Sequence, residues 1–231
     1  MRYFFLYALL SYVLRNPLLI LLGLAIVYLV IDRGFIGLLP DFTRPFRRRR
    51  HMTRLAEEIR LNPANATGQL ELGALYLERG QASRALPFLE KAHERMADSA
   101  RALLVLGACY HRLGRESEAK EVLEQAIAIN PKVGYGEPYY YLLAIALQVK
   151  TRDEAVLTEL KERILSRGST EVFYRTGRIL LRSGDRAGAR AMFQEAVDNY
   201  QASPKGFRRA HRRFAVASWI FLRFAGESAA V

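Results

Sequence analysis

The chain has 231 residues, 51% apolar and 25% charged, with a formal net charge of +12. That charge sits at the two ends, +7 in residues 1–54 and +5 in residues 204–231, while residues 55–203 are balanced, which excludes the basic folded face of a nucleic-acid binder. A single cysteine, Cys109, excludes an intrachain disulfide, so the fold is not built around oxidation.

A mean hydropathy of −0.03 beside so many charges requires the apolar residues to be concentrated. They are, in residues 3–39. Residues 18–31, LLILLGLAIVYLVI, carry no polar group beyond a tyrosine hydroxyl. Fourteen helical residues span only about 21 Å, against a hydrocarbon core of about 30 Å. Phe35, Ile36, Leu38 and Leu39 extend the run once Asp32 and Arg33 pair or snorkel. Upstream, Tyr3–Leu14 is cut off by Arg15-Asn16-Pro17, where a charge is costly at bilayer depth and proline favours a helix start. The reading is one span, about residues 17–38, within an anchor at 1–39, preceded by an apolar helix in the interface or against a partner; a helical hairpin dipping into one leaflet is the competing geometry. No small-residue cleavage site follows it, so it is not a secretory signal.

Residues 40–54 read as a basic juxtamembrane linker. Arg47, Arg48, Arg49 and Arg50 are its membrane-surface candidates, facing anionic headgroups. The richer basic flank lies after the span, so the positive-inside rule puts everything downstream in the cytoplasm, a single-pass protein of the inner or plasma membrane.

Residues 66–99 align with residues 100–133 at a period of 34 without a gap. Leu72-Gly73 matches Leu106-Gly107, Tyr76 matches Tyr110, Gly80 matches Gly114, Ala85 matches Ala119 and Ala92 matches Ala126. Asn130-Pro131 closes the second unit. A third, 137–169, follows the insertion Gly134-Tyr135-Gly136; its second helix is one residue short and places Ala155 at the crossing. A fourth, 170–203, restores the pattern with Phe173, Gly177, Leu180, Gly184, Ala189, Phe193 and Ala196. These residues resemble the tetratricopeptide-repeat (TPR) family: small at repeat positions 8, 20 and 27, large at 7, 11 and 24, proline at 32. The resemblance covers about residues 51–224 and implies an all-α solenoid, two antiparallel helices per unit, behind a transmembrane helix. Glycine at the crossing lets backbones approach, so Gly107 is expected to accept alanine but not leucine. Residues 51–63 cap one end. Residues 204–231 form a basic capping helix and tail, expected to bury Phe207, Ala210 and Phe214. The apolar distal part of that helix, with Trp219, leaves a membrane or partner contact open as well.

In this family the first helices line a concave surface that holds a partner. By that resemblance the groove presents Leu70, Ala74, Leu104 and Ala108 as small apolar anchors, where chaperone-binding members place a carboxylate clamp. Further on come Arg101, His111, Arg112 and Tyr141, and then Arg175, Arg178 and Arg182 on one helix face at spacings of three and four. Arginine and tyrosine dominate contact energies at interfaces, so the expected partner is an acidic and apolar peptide or helix. No phosphate loop or metal-ligand spacing is present, and His111 beside Cys109 reads as a surface histidine and a core cysteine. The expectation is a scaffold without catalytic residues or cofactor that assembles a membrane-associated complex. The competing reading is a dedicated accessory subunit of a membrane complex, held by its amino-terminal helices.

Overall fold

The computed structural model describes residues 44–149 and 153–225, with the single positions 21 and 23. The expected span at 17–38 and the run Tyr3–Leu14 lie outside the described residues. No helix among the described residues is long and apolar enough to cross a membrane. The chain divides into two compact units, residues 1–49 and 50–231.

Ten α-helices and no strand make up the described residues. The first, α1 (Arg44–Leu61), takes in most of the stretch expected as a linker: the basic run and the amino-terminal cap are one helix. Pro45 falls in its first turn, where the missing N–H has no intrahelical acceptor to serve. Arg47, Arg49 and Arg50 are exposed and Arg48 is half-buried. Met52, Leu55 and Ile59, spaced three and four apart, pack on Leu72, Leu75, Tyr76 and Phe88.

The repeats follow as helix pairs: α2 (Ala66–Glu78) with α3 (Ala82–Arg95), then α4 (Ala100–Arg112) with α5 (Glu116–Ile129). A 3₁₀ turn at Val133–Gly136 leads to α6 (Glu137–Gln148) and α7 (Glu154–Arg167). Next come α8 (Thr170–Ser183) with α9 (Arg186–Ala202), and α10 (Lys205–Ala225) closes the stack. Short polar residues start the first helices. The side chains of Asn65, Ser99 and Ser169 accept from the N–H groups of Gly68, Ala102 and Val172, satisfying donors that have no helical partner. Gly80 and Gly114 end α2 and α4 at φ +75° and +76°, a left-handed conformation that other residues resist.

Three of the four pairs cross in the same way. Ala85 and Ala92 on α3, Ala119 and Ala126 on α5, and Ala189 and Ala196 on α9 are all essentially inaccessible. Opposite them, a Cβ placed on Gly73, Gly107 or Gly177 would lie 2.5, 2.6 or 2.7 Å from the side chains of Leu89, Leu123 or Phe193. A methyl group at Gly107 therefore fits only if the Leu123 side chain shifts, which argues against the expected tolerance of alanine there.

The third pair departs from the rule. Ala155 is exposed, and the buried stripe of α7 is Leu157 and Ile164. With its second helix shortened, Ala155 falls in the first turn just after the Asp153 cap. A leucine and an isoleucine, also seven residues apart, take the place of the two alanines. The closing helix is rotated from expectation too. Ala210 is exposed, Ala215 and Ser218 are buried, and Phe214 is half-buried. Contacts of Phe214 with Tyr174 (5.6 Å) and of Phe221 stacked on Phe193 (4.9 Å) set its rotation.

Candidate functional site: the face of the first helices

The site expected from the repeats runs along α2, α4, α6 and α8. Its apolar half is largely taken up by the protein itself. Leu70, Leu104, Ala108 and Tyr141 are all below a tenth exposed and belong to one core cluster with Val133. Val133 enters that cluster from the 3₁₀ turn, whose Gly134 and Tyr135 both take left-handed conformations, so the insertion folds against Leu104. Only Ala74 among the expected small anchors stays half-exposed.

Several polar candidates also have internal duties. The His111 ring meets Glu116 at 2.9 Å and contacts the Tyr141 ring edge-on at 5.5 Å. Arg112 donates to the Leu77 carbonyl at 3.3 Å, serving the end of α2. Arg175 is the most committed of all. It donates to Glu137 Oε1 at 2.9 Å and to the Tyr141 hydroxyl at 3.1 Å, and its guanidinium lies 4.2 Å from the Tyr140 ring centroid. Burial pushes the Glu137 carboxyl up from the usual carboxylate range, while Arg175 pulls it the other way. Burial likewise raises the Tyr141 phenol. This knot ties α6 to α8 across the irregular third repeat. Sequence reasoning missed Glu137 because the insertion breaks the period just before it; an acid facing an arginine on the next first helix was the available signal.

What remains open on this face is basic. Arg178 and Arg182 are exposed one turn apart on α8, and neither makes an ion pair with a carboxylate among the described residues. Arg178 rests 5.8 Å over the Tyr174 ring, a contact that leaves its donors available. Arg101 is exposed on α4.

The Cys109 thiol is inaccessible, donates to the Ala82 carbonyl at 3.4 Å, and is pushed up to about 11 by burial, with Glu90 adding to the effect. At neutral pH it is a neutral thiol. The chain's single cysteine is therefore expected to resist a thiol reagent in the folded protein and to react promptly in denaturant. Labelling at the free-thiol rate without denaturant would contradict the packing of α4. No three-residue set of His, Cys, Asp or Glu able to hold a metal occurs among the described residues. A cleft lined by Ile127, Pro131, Tyr139, Glu159, Arg163 and Arg167 encloses about 230 Å³, below the roughly 300–1,000 Å³ of small-molecule sites.

Residues 76–145 match a tetratricopeptide-repeat family model, and residues 171–203 match a second model of the same repeat. Those two segments carry tetratricopeptide repeats. It is similar in structure to PilF of Pseudomonas aeruginosa, with a TM-score of 0.53 at 18% identity over 80% of this chain and 86% of that one. It is also similar to MamA, with a TM-score of 0.50 at 23% identity over 65% and 86%. At such identities the likeness shows the fold alone. No curated protein matches the chain. Repeats of this family mediate protein–protein interaction and form scaffolds that are typically not catalytic, so the open arginines of α8 belong to a TPR surface.

Proposed function

We propose that the chain is a membrane-anchored TPR scaffold that recruits an acidic partner to the cytoplasmic face of the inner membrane and so helps assemble a membrane-associated complex. One observation carries the groove: Arg178 and Arg182 stand exposed, with no carboxylate partner among the described residues, on a helix held by the Arg175–Glu137–Tyr141 knot. Exposed arginines on a fixed helix lose little freedom when an acidic segment docks, and their planar forks take carboxylates two bonds at a time. The neutral balance of residues 55–203 supports local recognition over general attraction.

The anchor rests on residues 17–38, and the orientation on the arginines that follow them. The protein is expected to stay in the membrane pellet through high-salt and carbonate washing. A reporter fused after Val231 is expected to face the cytoplasm. Release of the full chain by carbonate would remove the anchor from this reading, and a reporter on the far side would reverse its orientation.

The segment before the span favours a second reading. Tyr3, Phe4, Phe5, Tyr7 and Tyr12 form an aromatic-rich stretch suited to packing against a partner's spans, as in an accessory subunit. Replacing residues 1–39 with an unrelated span separates the two. The scaffold keeps its partner, whereas the accessory subunit loses it.

A further inference from the structure

The closing helix α10 does more than cover the last repeat. Its inner face is settled: Ala215 and Ser218 are buried, and Phe221 and Leu222 pack on the second core. Its outer face has no such role. Val216, Trp219 and Ile220 are 48%, 53% and 43% exposed, three large apolar side chains side by side on the solvent face. A helix that only capped the stack would place polar residues there.

Charge surrounds this stripe. Residues 205–225 hold six basic side chains and no acidic one. Arg209, Arg213 and Arg223 are exposed at helical spacings that put them on the same face as Val216 and Ile220. The Arg213 guanidinium lies 4.4 Å from the Phe214 ring centroid and that of Arg223 lies 5.9 Å from the Trp219 centroid, which keeps cation and ring together.

We propose that this face docks on an anionic lipid bilayer, with Val216, Trp219 and Ile220 entering the headgroup–acyl boundary and the arginines binding lipid phosphates. An apolar stripe bordered by cations on one exposed helix face is the pattern of a helix lying in the membrane interface. Arginine suits phosphate oxygens, and tryptophan suits the boundary where one edge is wet and the other apolar. The assignment stands on α10 alone and does not require the amino-terminal anchor.

Trp219 is the only tryptophan in the chain, so its emission reports on this face whatever else holds the protein to the membrane. The full-length protein is reconstituted with phosphatidylcholine vesicles and, separately, with vesicles that also contain phosphatidylglycerol. A blue shift of Trp219 emission and quenching by brominated acyl chains are expected with phosphatidylglycerol and not without it. The double variant Arg213→Glu, Arg223→Glu is expected to lose both signals while keeping its helicity and its flotation with the vesicles. No shift in the anionic vesicles, or equal shifts in both kinds, would overturn the proposal. So would a shift produced by soluble polyglutamate and not by vesicles, since that would assign the face to an acidic protein. Flotation reads the anchor separately, so failure of the anchor and failure of this face give different results.

Discussion

Gly107→Leu is expected to be the most damaging single substitution in the solenoid. Even the Cβ of alanine at this position would stand 2.6 Å from Leu123 Cγ and 3.1 Å from Val122 Cγ2. Leu123 is completely inaccessible, so it has no open space to move into. Forcing extra carbons into such a site costs about 1–3 kcal/mol, and leucine, with three carbons beyond the Cβ, belongs at or above the upper end. Alanine gains about 1 kcal/mol of helix propensity over glycine, which offsets part of its own overpacking. The expected order of stability is Gly107, then Ala, then Leu. Denaturant midpoints measure the order. Repeat arrays can open one unit at a time, so a local readout is needed too. Cys109, two residues along α4, supplies it: its labelling is expected to accelerate in the order Gly, Ala, Leu. A leucine variant with the stability and thiol protection of the parent would contradict the repeat register.

Arg175→Ala is expected to destabilise the fold by about 1–3 kcal/mol, the penalty for leaving a half-buried charged group without its partner. The truncation leaves the Glu137 carboxylate without its cation, removes the donor to the Tyr141 hydroxyl, and uncovers the Tyr140 ring. Arg178→Ala and Arg182→Ala, on the same helix but exposed, are expected to change stability by less than about 0.5 kcal/mol. Thermal melting of the three variants tests the contrast. If all three melt alike, Arg175 is a surface residue and the knot does not hold α6 to α8.

The contrast also marks what could be read before the fold was known. The 34-residue period of Leu72-Gly73 and Leu106-Gly107 gave the helix pairs, because a small residue opposite small residues has one geometric meaning at a crossing. The third repeat resisted because its stripe uses Leu157 and Ile164, which at the sequence level look like ordinary core residues. The groove was legible by position but not by availability. Leu70, Leu104, Ala108 and Tyr141 fall at groove positions, yet the Val133–Gly136 turn and the neighbouring repeat take them into the core. Likewise Arg175, Arg178 and Arg182 look equivalent at spacings of three and four. Only the position of Glu137, set by a break in the period, makes the first structural and leaves the other two open.

The central claim is that Arg178 and Arg182 read an acidic partner. Crosslinking in native membranes, with partner recovery quantified beside the melting temperature of each purified variant, tests it most directly. Arg178→Glu with Arg182→Glu is expected to abolish recovery at unchanged melting, and recovery by the parent is expected to fall in high salt, since exposed charge contacts are screened beyond about 8 Å at physiological ionic strength. Full recovery by the double-reversal variant, with melting unchanged, would contradict the account.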